Sequence, residues 1–401
     1  MRQLILLLHL VALVLVAGSC KDKTKAKSFE QLADNLKTHF VSDSRVDRFE
    51  IQHKSGFNGL YLEGYTTIPA AYDSLQATLA NGFVVAGDNF RLLPDEVVGA
   101  QTAGIIKVSV ANLRSKPGHS QELATQALLG TPIQVLDFQD GWYLVRTPAR
   151  YLAWLEPGAF VRMTPEEAKL WLNSDLRVFD AKSGEVLQSP NEELTPNIIS
   201  TIVLGSLVKF SKTGTGAYDE IELPDGTIGH LLSADLADPK AWLKTETLEV
   251  DLLLGVARNL AGRPYLWGGN SANALDCSGF TKTAYYLNGF VTPRDASQQV
   301  HAGTEVELTP DFSNLLPGDL LFFGGYRDNG SEKITHVGFY TGNGRFLHSG
   351  ADNGRIMEQS FLPEDPDFAP HRLESLMHAR RLSPGTPGVV PVGEAFGRVL
   401  E

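Results

Sequence analysis

Two cysteines occur in the 401 residues, and only Cys277 lies beyond the first twenty positions. No disulfide framework can be built from that supply. Basic runs are missing as well: 35 Lys and Arg stand against 47 Asp and Glu, a formal net charge of −12 at pH 7. Nothing would draw such a chain to a phosphate backbone, which argues against nucleic acid as a partner. The apolar run from Leu4 to Val16 is too short to cross a bilayer. With Arg2 ahead of it and small residues behind, residues 1–20 have the layout of a secretory signal. The mature chain then works outside the cytoplasm, where a lone thiol is open to oxidation unless it is buried. Cys277 therefore needs a chemical reason to be kept.

What is present suggests several domains, since 401 residues with 43% apolar composition can bury more than one core. Cys20 follows Ala17-Gly18-Ser19 in a pattern that resembles a bacterial lipoprotein box. That resemblance implies that Cys20 carries lipid and anchors the chain to a bacterial membrane, with "KDKTKAKS" (21–28) as a tether. Residues 21–100 form an N-terminal segment of mixed α/β texture, with a helix predicted over 29–41 and a second region around 70–82, and no function follows from it. From Val108 short β-rich runs are broken by Gly, Pro, Asn and Asp, as in a small barrel. "NLRSKP" (112–117), "LLGTPIQVL" (128–136), "GWYLV" (141–145) and "YLAWL" (151–155) resemble a bacterial SH3-type domain. A looser copy follows in "IVLGSLVKF" (202–210), "YDEIEL" (218–223) and "DGTIGHLL" (225–232), at a spacing of about 75 residues. Two barrels are thus expected, over 101–163 and 164–240. The second opens on a connector helix in "MTPEEAKLWLNSD" (163–175), with Thr164 as N-cap and Glu167 completing a capping box. A last domain spans 246–382, and the Pro/Gly-rich residues 383–401 read as a loose tail or a strap.

In "DCSGFTKTAYYLNG" (276–289), Phe280, Ala284 and Leu287 recur at helical spacing, so a helix starts at or just before Cys277 and stops at Gly289. Unpaired N–H groups and the macrodipole at that end favour thiolate. The polar neighbours Asp276 and Ser278 argue against an inert, buried cysteine. A nucleophile needs a base and the base an orienter. "THVGFYTGNGRFLHSG" (335–350) reads as a hairpin carrying His336 and His348. Placing these two opposite each other pairs Tyr340 with Gly344 around a three-residue loop, or Phe339 with Arg345 around five, whereas an even loop would put the imidazoles on opposite faces. A type I turn over Gly342-Asn343 with Gly344 left-handed favours the three-residue loop with a glycine bulge.

Cys277 in "DCSGF", His336 in "HVGFY" and His348 in "FLHSG", preceded by "GRPYLWGG" (262–269), resemble the NlpC/P60 family of bacterial cysteine peptidases in order and spacing. The resemblance implies an α+β protein: a papain-like catalytic domain, with "GDLLFF" (318–323) as a central strand, preceded by two small SH3-like barrels and the mixed N-terminal segment. It further implies that Cys277 attacks an amide carbonyl, His336 moves the proton, His348 orients the ring and Tyr265 helps hold the oxyanion. No metal or other cofactor is implied.

The implied substrates are peptidoglycan stem peptides, cut at the γ-D-glutamyl bond to a diamino acid. The SH3–SH3–catalytic order resembles enzymes that take muropeptides with a free N-terminal L-Ala. There Glu122 and Tyr151 of the first barrel would hold the amine, Asp276 could supply a second carboxylate, and Trp267, Ser278, Asp295 and Ser297 would line the site. Ala149-Arg150 stands where that subgroup more often has Asp-Gly. Two other readings use the same residues: a peptidoglycan-binding protein with an inert last domain, and an amidase or transferase on the same fold.

Overall fold

A computed structural model describes residues 27–190, 197–214 and 216–401. The expected signal segment, Cys20 and most of the tether lie outside the described residues. The chain divides into two compact units that meet in sequence between Val97 and Val98.

In the first unit residues 27–40 are helical. β1 (Phe49–Gly56), β2 (Gly59–Thr66), the helix Pro69–Gly82 and β3 (Val85–Leu92) follow. β2 lies in the middle, antiparallel to β1 and parallel to β3, and the helix supplies the crossover that a parallel pair requires. Phe49, Leu60, Leu62 and Phe90 on one sheet face share a core with Ala71, Leu75 and Leu79 of that helix and with Phe29. Alternate residues such as Gln52, Lys54 and Glu63 are exposed, the period of two expected of a half-buried sheet.

The second unit opens with the internal repeat, and its topology is the same twice over. Among the described residues, β4 (Ala103–Ile106), β5 (Val110–Arg114), β6 (Leu123–Leu128), β7 (Pro132–Gln139), β8 (Trp142–Arg146), β9 (Leu152–Leu155) and β10 (Phe160–Met163) form one sheet. Its strand order is β10-β4-β7-β8-β9-β5-β6. β11 (Leu176–Phe179), β12 (Ser183–Leu187), β13 (Ile198–Val203), β14 (Leu207–Lys212), β15 (Tyr218–Glu222), β16 (Ile228–Leu232) and β17 (Leu236–Ala237) form another, in the order β17-β11-β14-β15-β16-β12-β13. Strand for strand the two orders coincide. The helix Pro165–Leu172 joins them, and its capping box is formed: Glu167 N–H donates to Thr164 Oγ1 (3.2 Å) and Thr164 N–H to Glu167 Oε2 (2.8 Å).

The last part places helix Val250–Asn259, the short pair β18 (Asn270–Ser271) and β19 (Ala274–Leu275), helix Cys277–Leu287, β20 (Phe290–Val291) and helix Ala296–Gln299 before a larger sheet. That sheet holds β21 (Thr304–Val306), β22 (Leu320–Tyr326), β23 (Glu332–Gly342), β24 (Arg345–Gly350), β25 (Arg355–Ser360) and β26 (Leu376–Arg381), ordered β21-β26-β22-β23-β24-β25. β22 is central as expected, with Leu320, Leu321, Phe322 and Phe323 all buried. The result is the expected α+β class.

Residues 383–401 are not a loose tail. β27 (Val390–Pro391) pairs with β20, and Val392, Ala395 and Phe396 of the following helix are buried. They enter a core with Ala103, Ile105 and Leu128 of the first repeat, Ala168 and Trp171 of the connector, Leu176, Val203 and Leu207 of the second repeat, and Tyr286 of the helix Cys277–Leu287. The Pro/Gly composition suggested looseness because it breaks periodicity, yet the apolar residues between those breaks fill the seam where both repeats meet the last domain.

Candidate active site

Cys277 is the first residue of the helix Cys277–Leu287, and Asp276 caps it, its side chain accepting from the Gly279 N–H. The predicted stop also holds, with Asn288 as C-cap and Gly289 at φ 90°. The helix differs from an amphipathic one in that every residue but Lys282 and Leu287 is buried. It packs against β23 and β24, the helix Val250–Asn259, β18 and β20, so it has no free face.

Burial extends to the polar neighbours of the thiol. Asp276, Cys277 and Ser278 are all under 9% exposed. Polar flanks therefore do not keep this cysteine at the surface. They are satisfied internally, by a residue the sequence reading passed over. Arg294, 1% exposed, donates to Asp276 through Nη2 (2.6 Å to Oδ2) and Nη1 (3.1 Å to Oδ1), to Ser278 Oγ (3.1 Å) and to Thr125 Oγ1 (2.9 Å). The Gly268 N–H adds a bond to Asp276 Oδ2 (2.9 Å) and Gly279 N–H one to Oδ1 (2.7 Å). With both oxygens so engaged, Asp276 caps the helix and pairs with Arg294. The available signal was chemical: a buried aspartate needs a counter-charge, and "PRDASQQ" carries one beside the Asp295 and Ser297 that were singled out.

The two histidines meet by a different route from the one predicted. β23 and β24 pair Phe339 with Leu347 and Tyr340 with Phe346, then Gly342 with Arg345 after a register shift. The connecting loop is the two residues Asn343 and Gly344, both left-handed at φ 52° and 69°, the conformation that suits a two-residue hairpin. An even loop alone would put the imidazoles on opposite faces. Thr341 is the extra residue on β23, a bulge that restores the parity. His336 and His348 are then diagonal neighbours on one face. Gly338 makes room between them, since a Cβ there would lie 2.9 Å from the His348 Cβ. His336 Nε2 and His348 Nδ1 are 2.7 Å apart, and His348 Nε2 lies 2.8 Å from Gln359 Oε1. The rings are perpendicular, and Phe323 and Phe346 pack against them.

Val337, next to His336, shares a core with Cys277. The electrostatics oppose a resting thiolate. Burial pushes the Cys277 thiol up to about 12, and the Asp276 carboxylate adds to the rise. The Val337 N–H, Arg294 and the Ser278 N–H only partly offset it. Burial likewise holds His336 well below the ordinary histidine range, helped by His348, Arg372 and His371. Burial, then Arg372, takes His348 down to about 4, against Gln359 and Asp352, which raise it. The helix terminus is outweighed by desolvation, which favours the neutral thiol and the neutral imidazoles. A raised thiol value means less thiolate at pH 7, so alkylation of Cys277 by iodoacetamide should be slow at pH 6–7 and still be climbing past pH 9. A rate already level at pH 6 would show a preformed thiolate instead.

The other expected site residues fall into two groups. Tyr265 is half-buried, and its hydroxyl is held in the protonated form first by burial, then by the charge that would develop on Cys277 and by Asp276. Trp267 is 63% exposed, so it is no part of a core, and its Nε1–H donates to Glu122 Oε1 (2.8 Å). Tyr151 is buried and its hydroxyl donates to Asp295 Oδ2 (3.1 Å). Asp295 also caps the helix Ala296–Gln299, whose first turn carries Ser297. Asn270 completes the seam to β6, with its N–H on Gln126 Oε1 (3.0 Å) and its Nδ2 on the Gln126 carbonyl (3.1 Å). Residues about 145 positions apart are thus tied along one edge of the site.

A cysteine opening a buried helix, packed on an antiparallel sheet that carries a bonded histidine pair, defines a cysteine peptidase of the papain-like class. The NlpC/P60 family pattern matches residues 262–363, and that of the bacterial SH3 domain matches residues 109–161. Dipeptidyl-peptidase 6 of Lysinibacillus sphaericus is 30% identical over 271 residues, 65% of this chain and 93% of the relative. A gamma-D-glutamyl-L-lysine dipeptidyl-peptidase of Bacillus cereus (strain ATCC 10987) is 30% identical over 256 residues, 58% of this chain and 68% of the relative. The crystal structure of an NlpC/P60 family protein from Bacillus cereus ATCC 10987 shares the fold, with a TM-score of 0.59 at 23% identity over 70% of this chain and all of that one. The chain belongs to the NlpC/P60 family of peptidoglycan hydrolases.

Proposed function

We propose that the protein hydrolyses the γ-D-glutamyl–diamino acid bond of peptidoglycan stem peptides that carry a free N-terminal L-Ala. The observation that carries this reading is the seam between the first repeat and the catalytic domain. It sets Glu122 against Trp267 at 2.8 Å and Tyr151 against Asp295 at 3.1 Å, on the same side as the Arg294–Asp276 pair beside Cys277. A peptide whose scissile carbonyl reaches Cys277 would then end, two residues upstream, against the repeat. Relatives named as dipeptidyl-peptidases of this family support the same cut.

In this reading Cys277 is the nucleophile, His336 takes its proton, His348 orients His336, and Tyr265 donates to the oxyanion, where a preorganised donor contributes about 3–4 kcal/mol. Glu122, with Oε1 on the indole N–H, offers Oε2 to the substrate ammonium. Trp267, Tyr151, Ser278, Asp295 and Ser297 shape the subsite. The enzyme would act outside the cytoplasm, held to a membrane by lipid on Cys20, as the sequence alone suggests.

A peptide L-Ala-γ-D-Glu-diamino acid should be cut with kcat/KM about tenfold or more above its N-acetylated form, the equivalent of one charge-assisted hydrogen bond. Glu122→Gln should narrow that gap by slowing only the free-amine substrate. Equal kcat/KM for the two peptides in the wild type would show that the repeat does not read the N-terminus.

A further inference from the structure

We propose that Gln359 is a positioning residue of the catalytic site: its side-chain oxygen sets the tautomers of both histidines, so that His336 Nδ1 keeps its lone pair for the Cys277 proton. The proposal rests on the reading of Cys277, His336 and His348 as the reacting groups.

Gln359 stands on β25, paired with Phe346 and diagonal to His348, and is 9% exposed. Its Oε1 accepts from Asn353 Nδ2 (3.1 Å), in the turn between β24 and β25, and faces His348 Nε2 (2.8 Å). A carbonyl oxygen has two lone pairs and no proton, so it can serve both contacts only as an acceptor. His348 Nε2 must then carry the hydrogen. Its Nδ1, in a neutral ring, has only a lone pair, and at 2.7 Å it accepts from His336 Nε2–H. His336 Nε2 being protonated, Nδ1 is the basic nitrogen. As the Cys277 sulfur attacks, its S–H bond breaks, the proton forms an N–H bond at His336 Nδ1, and the resulting imidazolium keeps donating from Nε2 to His348. The opposite tautomers would put a hydrogen on His336 Nδ1 and leave no base beside the thiol.

Nothing in "RIMEQS" (355–360) marks this glutamine, because its partner is set by strand register rather than by a local pattern. The groups facing His348 are His336, Gln359, the Arg372–Asp352 ion pair (3.0 Å) and His371, itself bonded to Asp352 (2.9 Å). Asn353 acts on it only through Gln359.

The test is nitrogen-15 NMR of the full chain labelled at histidine, which reads tautomers whether or not the enzyme turns over. The wild type at pH 7 should show hydrogen on Nε2 of both His336 and His348. Gln359→Met, which keeps the length and loses the acceptor, should release the His348 tautomer. It should also lower kcat about 100-fold with KM nearly unchanged, within the roughly 10²–10⁴-fold that a positioned base contributes. Gln359→Glu restores an acceptor and should recover most of that loss. Its negative charge favours the imidazolium, so the acid limb of the pH profile should move to higher pH. If Gln359→Met fails to fold, that displaced limb together with retained Nε2–H tautomers decides in favour. Hydrogen on His348 Nδ1 in the wild type overturns the proposal, as does a folded Gln359→Met enzyme with wild-type kcat. Failure of the catalytic reading itself would appear separately, as turnover by a Cys277→Ala enzyme whose histidine tautomers are as stated.

Discussion

Cys277→Ala is expected to yield a folded protein whose hydrolysis of stem peptides has fallen by at least about 10⁴-fold, the scale on which removal of a nucleophile acts in a mutually dependent triad. In the proposed mechanism the sulfur is the atom that forms the acyl-enzyme, and neither imidazole can replace it while they are bonded to each other at 2.7 Å. The fold should tolerate the change. Cys277 is 8% exposed at the start of a helix whose cap, Asp276, is untouched, and the deleted volume is one atom. The lost burial is worth about 1 kcal/mol or less. A melting temperature within a few degrees of the parent, measured beside turnover of a defined tetrapeptide followed by mass, separates loss of chemistry from loss of structure. Wild-type turnover by the folded variant would remove Cys277 from the mechanism.

Arg294→Met should be the most damaging substitution for stability. The guanidinium is 1% exposed and its charge is favoured: burial alone would lower its pKa, but the charge and hydrogen bonds of Asp276, together with Asp295 and Tyr151, raise it further than burial lowers it. Without Arg294 the Asp276 carboxylate stays buried, with backbone N–H groups and a hydroxyl for partners but no counter-charge. Breaking a buried pair from one side costs about 3–5 kcal/mol. For a unit of this size that corresponds to a fall in Tm of roughly 10 °C. Thr125 of the first repeat loses its bond from Arg294 in the same step, so the seam loosens along with the helix Cys277–Leu287. The Asp276→Asn, Arg294→Met double variant keeps a side-chain oxygen for the Gly279 N–H and removes the stranded charge. It should therefore recover a substantial part of the loss, which a double-mutant cycle would measure. An Arg294→Met protein melting within 2 °C of the parent would show that the pair is not what holds this corner.

Part of this protein was determined by its sequence alone. A single thiol at the start of a helix with Phe280 and Ala284 inward, two histidines on one hairpin, a capping box at Thr164 and Glu167, and two β-rich units with a shared strand pattern all follow from short-range periods and turn chemistry. Those signals act within a few residues and survive whatever the rest of the chain does.

The tertiary structure decided what depends on contacts far apart in sequence. The hairpin brings His336 to His348 through a bulge at Thr341 that no local pattern announced, because an even loop and an odd loop are both compatible with "TGNGR". The electrostatic balance at the thiol reversed, since desolvation by burial exceeds the field of a helix end. Asp276 and Arg294 belong to each other across 18 positions, and Arg294 to Thr125 across 169. The final residues, expected as a loose tail or a strap, fill a core shared with both repeats and the helix Cys277–Leu287. Register, burial and the pairing of charge are properties of the packed chain: each depends on which surfaces exclude water together, and a linear pattern does not specify that.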